Sequence, residues 1–172
     1  MEEIITKRLI LGPFGTSDCD NLYAFLTQLS DGVFEGFSTL TEGGKEQLMR
    51  RLGSEEYYAV ERKESGEVVG CVLLESRPCL TKEAMFAIRE DFRRKGYAKE
   101  ALDAIVELTF RQGVHRVVAQ CDARNEAAWK LLEKAGFSRE AHYRQNMFYE
   151  KDGTGRPIWR DTYVYAKLAS DF

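Results

Sequence analysis

With 172 residues, 25 Lys and Arg against 28 Asp and Glu, and a formal charge of −3, the chain can bury a sizeable core but offers no broad basic surface to nucleic acid. Four cysteines stand singly at positions 19, 71, 79 and 121 and only two histidines could join them, which disfavours both a disulfide framework and a metal cluster. No run approaches membrane-span length and no leader-like apolar segment opens the chain, so a reducing, cytoplasmic setting with free thiols acting as small apolar groups is expected.

Residues 6–11 alternate well enough for a first strand, ended by Gly12 and Pro13. Ser17 or Asp18 can cap a helix carrying Leu22, Phe25, Leu26 and Leu29 at helical spacing. Residues 32–44 are rich in glycine and threonine and read as a loop near a substrate mouth, and 45–52 as a second short helix. Strands follow at 57–62 and 68–74, joined by the polar, glycine-bearing turn 63–67, and Pro78 closes that region.

A third strand, 84–88, leads through a basic turn into a helix that ends near Gln112 and Gly113. Its inner face is expected to hold Ala98, Ala101, Leu102, Ile105, Leu108 and Thr109, and its outer face the pairs Lys99–Asp103 and Glu107–Arg111. Next come a strand at 116–121, a helix with Ala128, Leu131, Leu132 and Ala135 on one face and a stop at Gly136, and two strands at 141–149 and 161–168 around the turn 151–155. The order describes one mixed α/β layer domain, 1–172, without repeats or linkers.

The junction at 90–102 is the part with chemical content. A helix start presents unpaired N–H groups and the positive end of the macrodipole, which together favour an anion. Gly96 allows close backbone approach, Ala98 is nearly as small, and Arg93, Arg94 and Lys95 surround the spot with charge. Phosphate is the natural ligand. Nucleotide-loop fingerprints are absent, because Lys95 precedes Gly96 and no Ser or Thr follows.

Glu83, the Arg93 to Ala98 turn, the helix after it, the strand ending at Cys121, Asn125 and the run Ala135-Gly136-Phe137 together resemble the GNAT superfamily of N-acetyltransferases. The branch that acetylates ribosomal-protein N-termini is closest in pattern. The resemblance spans 6–168 and implies a central, mostly antiparallel twisted sheet, splayed at the cofactor site, with helices on both faces. It also implies acetyl-CoA as cosubstrate and no metal.

On that resemblance the pyrophosphate lies on the backbone of Arg94, Lys95, Gly96, Tyr97 and Ala98, and the pantetheine arm between the strand ending at Ile88 and Arg89 and the strand ending at Cys121. Asn125, otherwise a helix N-cap, steadies the arm. Glu83 matches the family's general base, and the Ile88 backbone polarises the thioester carbonyl. Two positions depart from the family pattern: Leu132 stands where a tyrosine often protonates the thiolate, and Ala128 where a serine is common.

The reading that follows is an acetyl transfer to a primary amine, such as a peptide N-terminus, by direct attack in a ternary complex. A polyamine or aminoglycoside acetyltransferase and a non-catalytic acyl-CoA sensor are the alternatives. Tyr143, Arg144, Asn146, Tyr149, Trp159, Asp161 and Tyr163 are candidate pocket residues, with Asp161 and Glu35 as attractors for a cation. No nucleic-acid or membrane partner is expected, and the sequence leaves the oligomeric state open, a homodimer included.

Overall fold

Alternating apolar residues in short runs, punctuated by glycine turns, assemble into one sheet of eight strands with order β1-β2-β3-β4-β5-β6-β8-β7. The computed structural model describes residues 3–14 and 57–171. The strands are β1 (Ile4–Ile5), β2 (Leu9–Gly12), β3 (Tyr57–Arg62), β4 (Glu67–Arg77), β5 (Thr81–Ile88), β6 (Arg116–Asp122), β7 (Ser138–Lys151) and β8 (Pro157–Leu168). Helix α1 (Tyr97–Arg111) joins β5 to β6, and α2 (Glu126–Lys134) joins β6 to β7. The expected helices at 17–29 and 45–52, the loop at 32–44 and Glu35 lie outside the described residues.

Every neighbouring pair is antiparallel except β5 and β6, which run parallel only from Thr81–Glu83 against Arg116–Val118. Both α1 and α2 cover the same face of the sheet, their Leu102, Ile105, Val106 and Leu132 packing with Val60, Val72, Ala84, Val117, Ala119 and Tyr165. On α1 the buried stripe takes Tyr97 and Val106 where Ala98 and Leu108 were expected. The 3.6-residue period admits either choice, and contact with the twisted sheet selects between them. The sheet's other face also buries Tyr57, Ala59, Cys71, Leu73 and Ala87, so the central strands are apolar on both sides.

Several strands are longer than their sequence patterns: β4 continues to Arg77, β5 begins at Thr81, β7 spans Ser138–Lys151, and β8 begins at Pro157. Pairing, which a single-strand pattern does not carry, extends them. Pro78, Cys79 and Leu80 form the β4–β5 turn, with Cys79 and Leu80 at φ 61° and 51°. Cys79 is therefore exposed, unlike Cys71, which is buried; the turn overrides the expected apolar role at position 79.

Candidate active site

The register of β4 and β5 aims one backbone group into the gap between β5 and β6. Ile88 is paired with Gly70, and the N–H of Arg89 bonds the Val69 carbonyl at 2.9 Å, so Ile88 sits in a non-hydrogen-bonded pair. Its own N–H and C=O are directed away from β4, on the side where β6 has stopped pairing. Gly70 is required for this approach: a Cβ there would lie 2.3 Å from the Ala87 carbonyl oxygen and 2.6 Å from Ile88 Cδ1.

The opposite wall is built the same way. Asp122 pairs with Thr162, and Ala123 N–H bonds the Asp161 carbonyl at 2.9 Å, which turns the backbone of Asp122 and Gln120 toward the gap. The result is a wedge that is closed at Glu83 and Val118 and opens toward Ile88 and Asp122.

At the open end the chain makes a 3-10 turn (Glu90–Phe92), then passes through Arg93 in extended conformation, Arg94 at φ 60° and Gly96 at φ 81° before entering α1. Two left-handed residues so close together curl successive amides inward into an anion-binding concavity. Among the hydrogen bonds of the described residues, none uses the backbone N–H of Arg94, Lys95, Gly96, Tyr97 or Ala98. Five donors next to a helix N-terminus, with no side-chain cap, suit a diphosphate.

The side chains of the loop divide by role. Arg93 Nε donates to the Ile88 carbonyl at 3.1 Å, and Lys95 Nζ to the Asp91 carbonyl at 2.9 Å, so both brace the turn. Arg89 pairs with Glu67 and Asp91 at 2.7 and 2.9 Å and lies over the Phe92 ring. Arg94 makes no ion pair with the other described residues. Arg8, which no local pattern singles out, donates to the Lys95 carbonyl at 2.9 Å and stacks on Tyr97.

Glu83 lies inside β5, not at a strand end, because β5 starts three residues earlier than its apolar run. Arg77 and Gln120 both donate to its carboxylate, which is only 13% exposed. It stands at the closed end of the wedge, five residues from Ile88 along the strand.

Asn125 caps α2, its Oδ1 accepting the Ala128 N–H at 3.1 Å. Its amide nitrogen makes no hydrogen bond among the described residues, so capping leaves a donor over. Leu132 is a core residue, 1% exposed, with no polar role. The neighbouring hydroxyl is that of Tyr165, which donates to Glu133 at 2.9 Å; burial and that bond push its pKa up to about 12. Cys121, at the end of β6, has its thiol raised to about 11 by burial.

Two features escape sequence reasoning. Asp122 is buried, accepts the Arg124 N–H at 2.8 Å through Oδ1, and has an Oδ2 without a partner among the described residues. Asp161, expected to be an open attractor for a cation, is already engaged by His142 Nε2 at 2.6 Å and by the Gln145 N–H at 2.8 Å. It faces a bulge in β7 where the register jumps between Tyr143 and Met147. Of the other candidate pocket residues, Tyr143 and Trp159 are half exposed on the β7–β8 hairpin.

A splayed parallel pair with a helix start of open amides at its mouth is suited to an extended ligand that carries an anionic group. The acetyltransferase (GNAT) domain matches residues 8–138, and the chain belongs to that family: it is an acyl-CoA-dependent N-acetyltransferase. It is 26% identical over 178 residues to the uncharacterized N-acetyltransferase YnaD of Bacillus subtilis (strain 168), covering 98% of each chain. The fold is similar to a GNAT-family acetyltransferase from Bacillus anthracis, with TM-score 0.80, 22% identity and coverage of 98% and 99% of the two chains. It is also similar to RimL, a ribosomal L7/L12 alpha-N-protein acetyltransferase in complex with coenzyme A, with TM-score 0.79, 18% identity and coverage of 97% and 98%.

Proposed function

We propose that this N-acetyltransferase uses acetyl-CoA to acetylate the N-terminal amine of a peptide or protein, by direct attack within a ternary complex. One observation carries the cofactor reading: five consecutive amides, from Arg94 to Ala98, have no acceptor among the described residues at the mouth of the wedge. The diphosphate rests on them, with Arg94 beside it, and the pantetheine arm runs between Ile88 and Asp122. The donor left on Asn125 steadies the arm. The inward N–H of Ile88 polarises the thioester carbonyl, acting on charge that develops only in the transition state.

Glu83 accepts the amine's proton through water, its own carboxylate being set back at the closed end of the wedge. With Leu132 in the core and the Tyr165 hydroxyl committed to Glu133, the thiolate leaves without a tyrosine donor and takes its proton from solvent. The peptide acceptor is supported by the exposed Phe148 and Trp159, whose rings meet edge to face at 5.4 Å on the face of the β7–β8 hairpin that also carries Asp161. Similarity to a solved ribosomal-protein-S5-alanine acetyltransferase from Vibrio fischeri and to RimL points the same way.

The test is a thiol-release assay with acetyl-CoA across N-terminal peptides, polyamines, aminoglycosides and free amino acids. Turnover with peptides supports the proposal. Turnover confined to small amines replaces the acceptor, and silence across the panel with CoA bound leaves an acyl-CoA sensor.

A further inference from the structure

Next to the amide loop lies a cavity of about 300 Å³ walled by Lys7, Arg8, Arg62, Lys63, Glu64 and Tyr97. The turn before β2 and the β3–β4 turn meet here, tied by the Lys63 N–H to the Arg8 carbonyl at 3.0 Å. Two of the four cations are answered locally, Arg62 by Glu64 and Arg8 by Glu100, each at 2.6 Å. Among the described residues no carboxylate lies within ion-pair reach of Lys7 or Lys63. Lys63 donates to the Thr6 carbonyl, and an ammonium has two further protons to give.

Like charges converging on one cavity repel unless an anion joins them. Tyr97 belongs to both places: its N–H is one of the loop's open amides, and its side chain walls the cavity beneath the Arg8 guanidinium. Two anion sites that share a residue fit one ligand carrying two anionic groups.

We propose that this cavity binds the phosphomonoester at the adenosine end of the CoA whose diphosphate lies on residues 94–98. The inference rests on the cofactor reading given above. In CoA that phosphate is separated from the diphosphate by a single ribose, and near neutral pH it carries almost two negative charges, matching the two lysines. The lysines are exposed, so screening limits the gain to about tenfold in affinity, at the low end for charge-assisted bonds. The cavity thus selects CoA over the same molecule lacking the 3′-phosphate.

Titration calorimetry of the wild type and of a Lys7→Gln, Lys63→Gln double variant, each with CoA and with dephospho-CoA, tests this. The wild type should prefer CoA by about tenfold, the preference shrinking as salt rises. The double variant should bind dephospho-CoA as the wild type does, which shows that it is folded, and lose the preference. Equal wild-type affinity for the two ligands, or a double variant that keeps the preference, overturns the assignment and leaves the loop reading standing. Binding of neither ligand overturns both. Inorganic phosphate that stabilises the wild type but not the double variant, with CoA and dephospho-CoA still equal, gives the cavity to a free anion and also overturns it.

Discussion

Arg77 holds one carboxylate oxygen of Glu83 with two nitrogens, Nε at 2.9 Å and Nη2 at 2.8 Å, while Gln120 donates to the other oxygen at 3.0 Å. Glu83 therefore ties β4, β5 and β6 together where the parallel pairing ends. A general base and a structural clip make different demands on this group. A Glu83→Gln variant keeps the shape but accepts poorly from Arg77. Catalysis through Glu83 predicts a fall in kcat of about a hundredfold or more with CoA affinity unchanged. A clip alone predicts a loss of about 1–3 kcal/mol in stability with kcat preserved. Steady-state kinetics and chemical denaturation on the same preparation separate the two.

Gly96 precedes α1 at φ 81°, and a Cβ there would lie 3.3 Å from Arg8 Nη2. Gly96→Ala should cost about 1–2 kcal/mol from the left-handed backbone alone. It also pushes on the guanidinium that holds the Lys95 carbonyl, so the amide concavity deforms. CoA affinity should fall by about tenfold or more, a loss larger than the shift in melting temperature accounts for. Calorimetric titration with CoA beside a thermal melt checks this, and undiminished affinity would remove the loop from the cofactor site.

The parts of this fold set by local rules were legible in the sequence. The basic turn before α1, the Asn125 cap, the stop at Gly136 with φ 81° and the Lys99–Asp103 pair all follow from neighbours within a few residues. Arg8 touches Lys95 and Glu100 from more than eighty residues away, and no periodicity reports such a contact. The same holds for Glu83. Its apolar neighbours suggest a strand beginning at Ala84, and only pairing of Arg77 with Thr81 extends β5 past it. Asp161 reads as an open acidic group because its partners depend on a bulge in the facing strand, a three-dimensional irregularity that a binary pattern does not encode.

Gly70 makes a test of the wedge itself. It faces Ile88 across β4 and β5 in a space with no room for a methyl group, a Cβ falling 2.3 Å from the Ala87 carbonyl oxygen. Backbone, not a flexible side chain, would have to yield. Gly70→Ala should therefore destabilise by about 1–3 kcal/mol as an overpacking change. Because the displaced segment carries the Ile88 N–H, acetyl transfer should fall further than CoA binding in the fraction that stays folded. Urea denaturation, with kcat and CoA affinity measured below the transition, reads these separately. A variant with wild-type stability would show that the strands separate more easily than their register implies.

Glu100 links the first turn of α1 to the β1–β2 turn. Burial opposes its ionisation, but hydrogen bonds from the Thr6 hydroxyl and the Arg8 N–H, both at 2.7 Å, and the Arg8 side chain outweigh it and hold the carboxyl below its usual range. A carboxyl whose pKa is lower folded than unfolded contributes stability that is complete above the unfolded value, about 4.3, and is lost as pH falls through the folded value. Glu100→Gln should then be less stable than the wild type at neutral pH by roughly 1–2 kcal/mol. The gap should close on acidification below about pH 4, because the wild type loses what the variant never had. Denaturation midpoints for both proteins between pH 7 and pH 3 give the comparison directly. A gap that stays constant over that range would mean that the Glu100 contacts stabilise through packing and not through its charge.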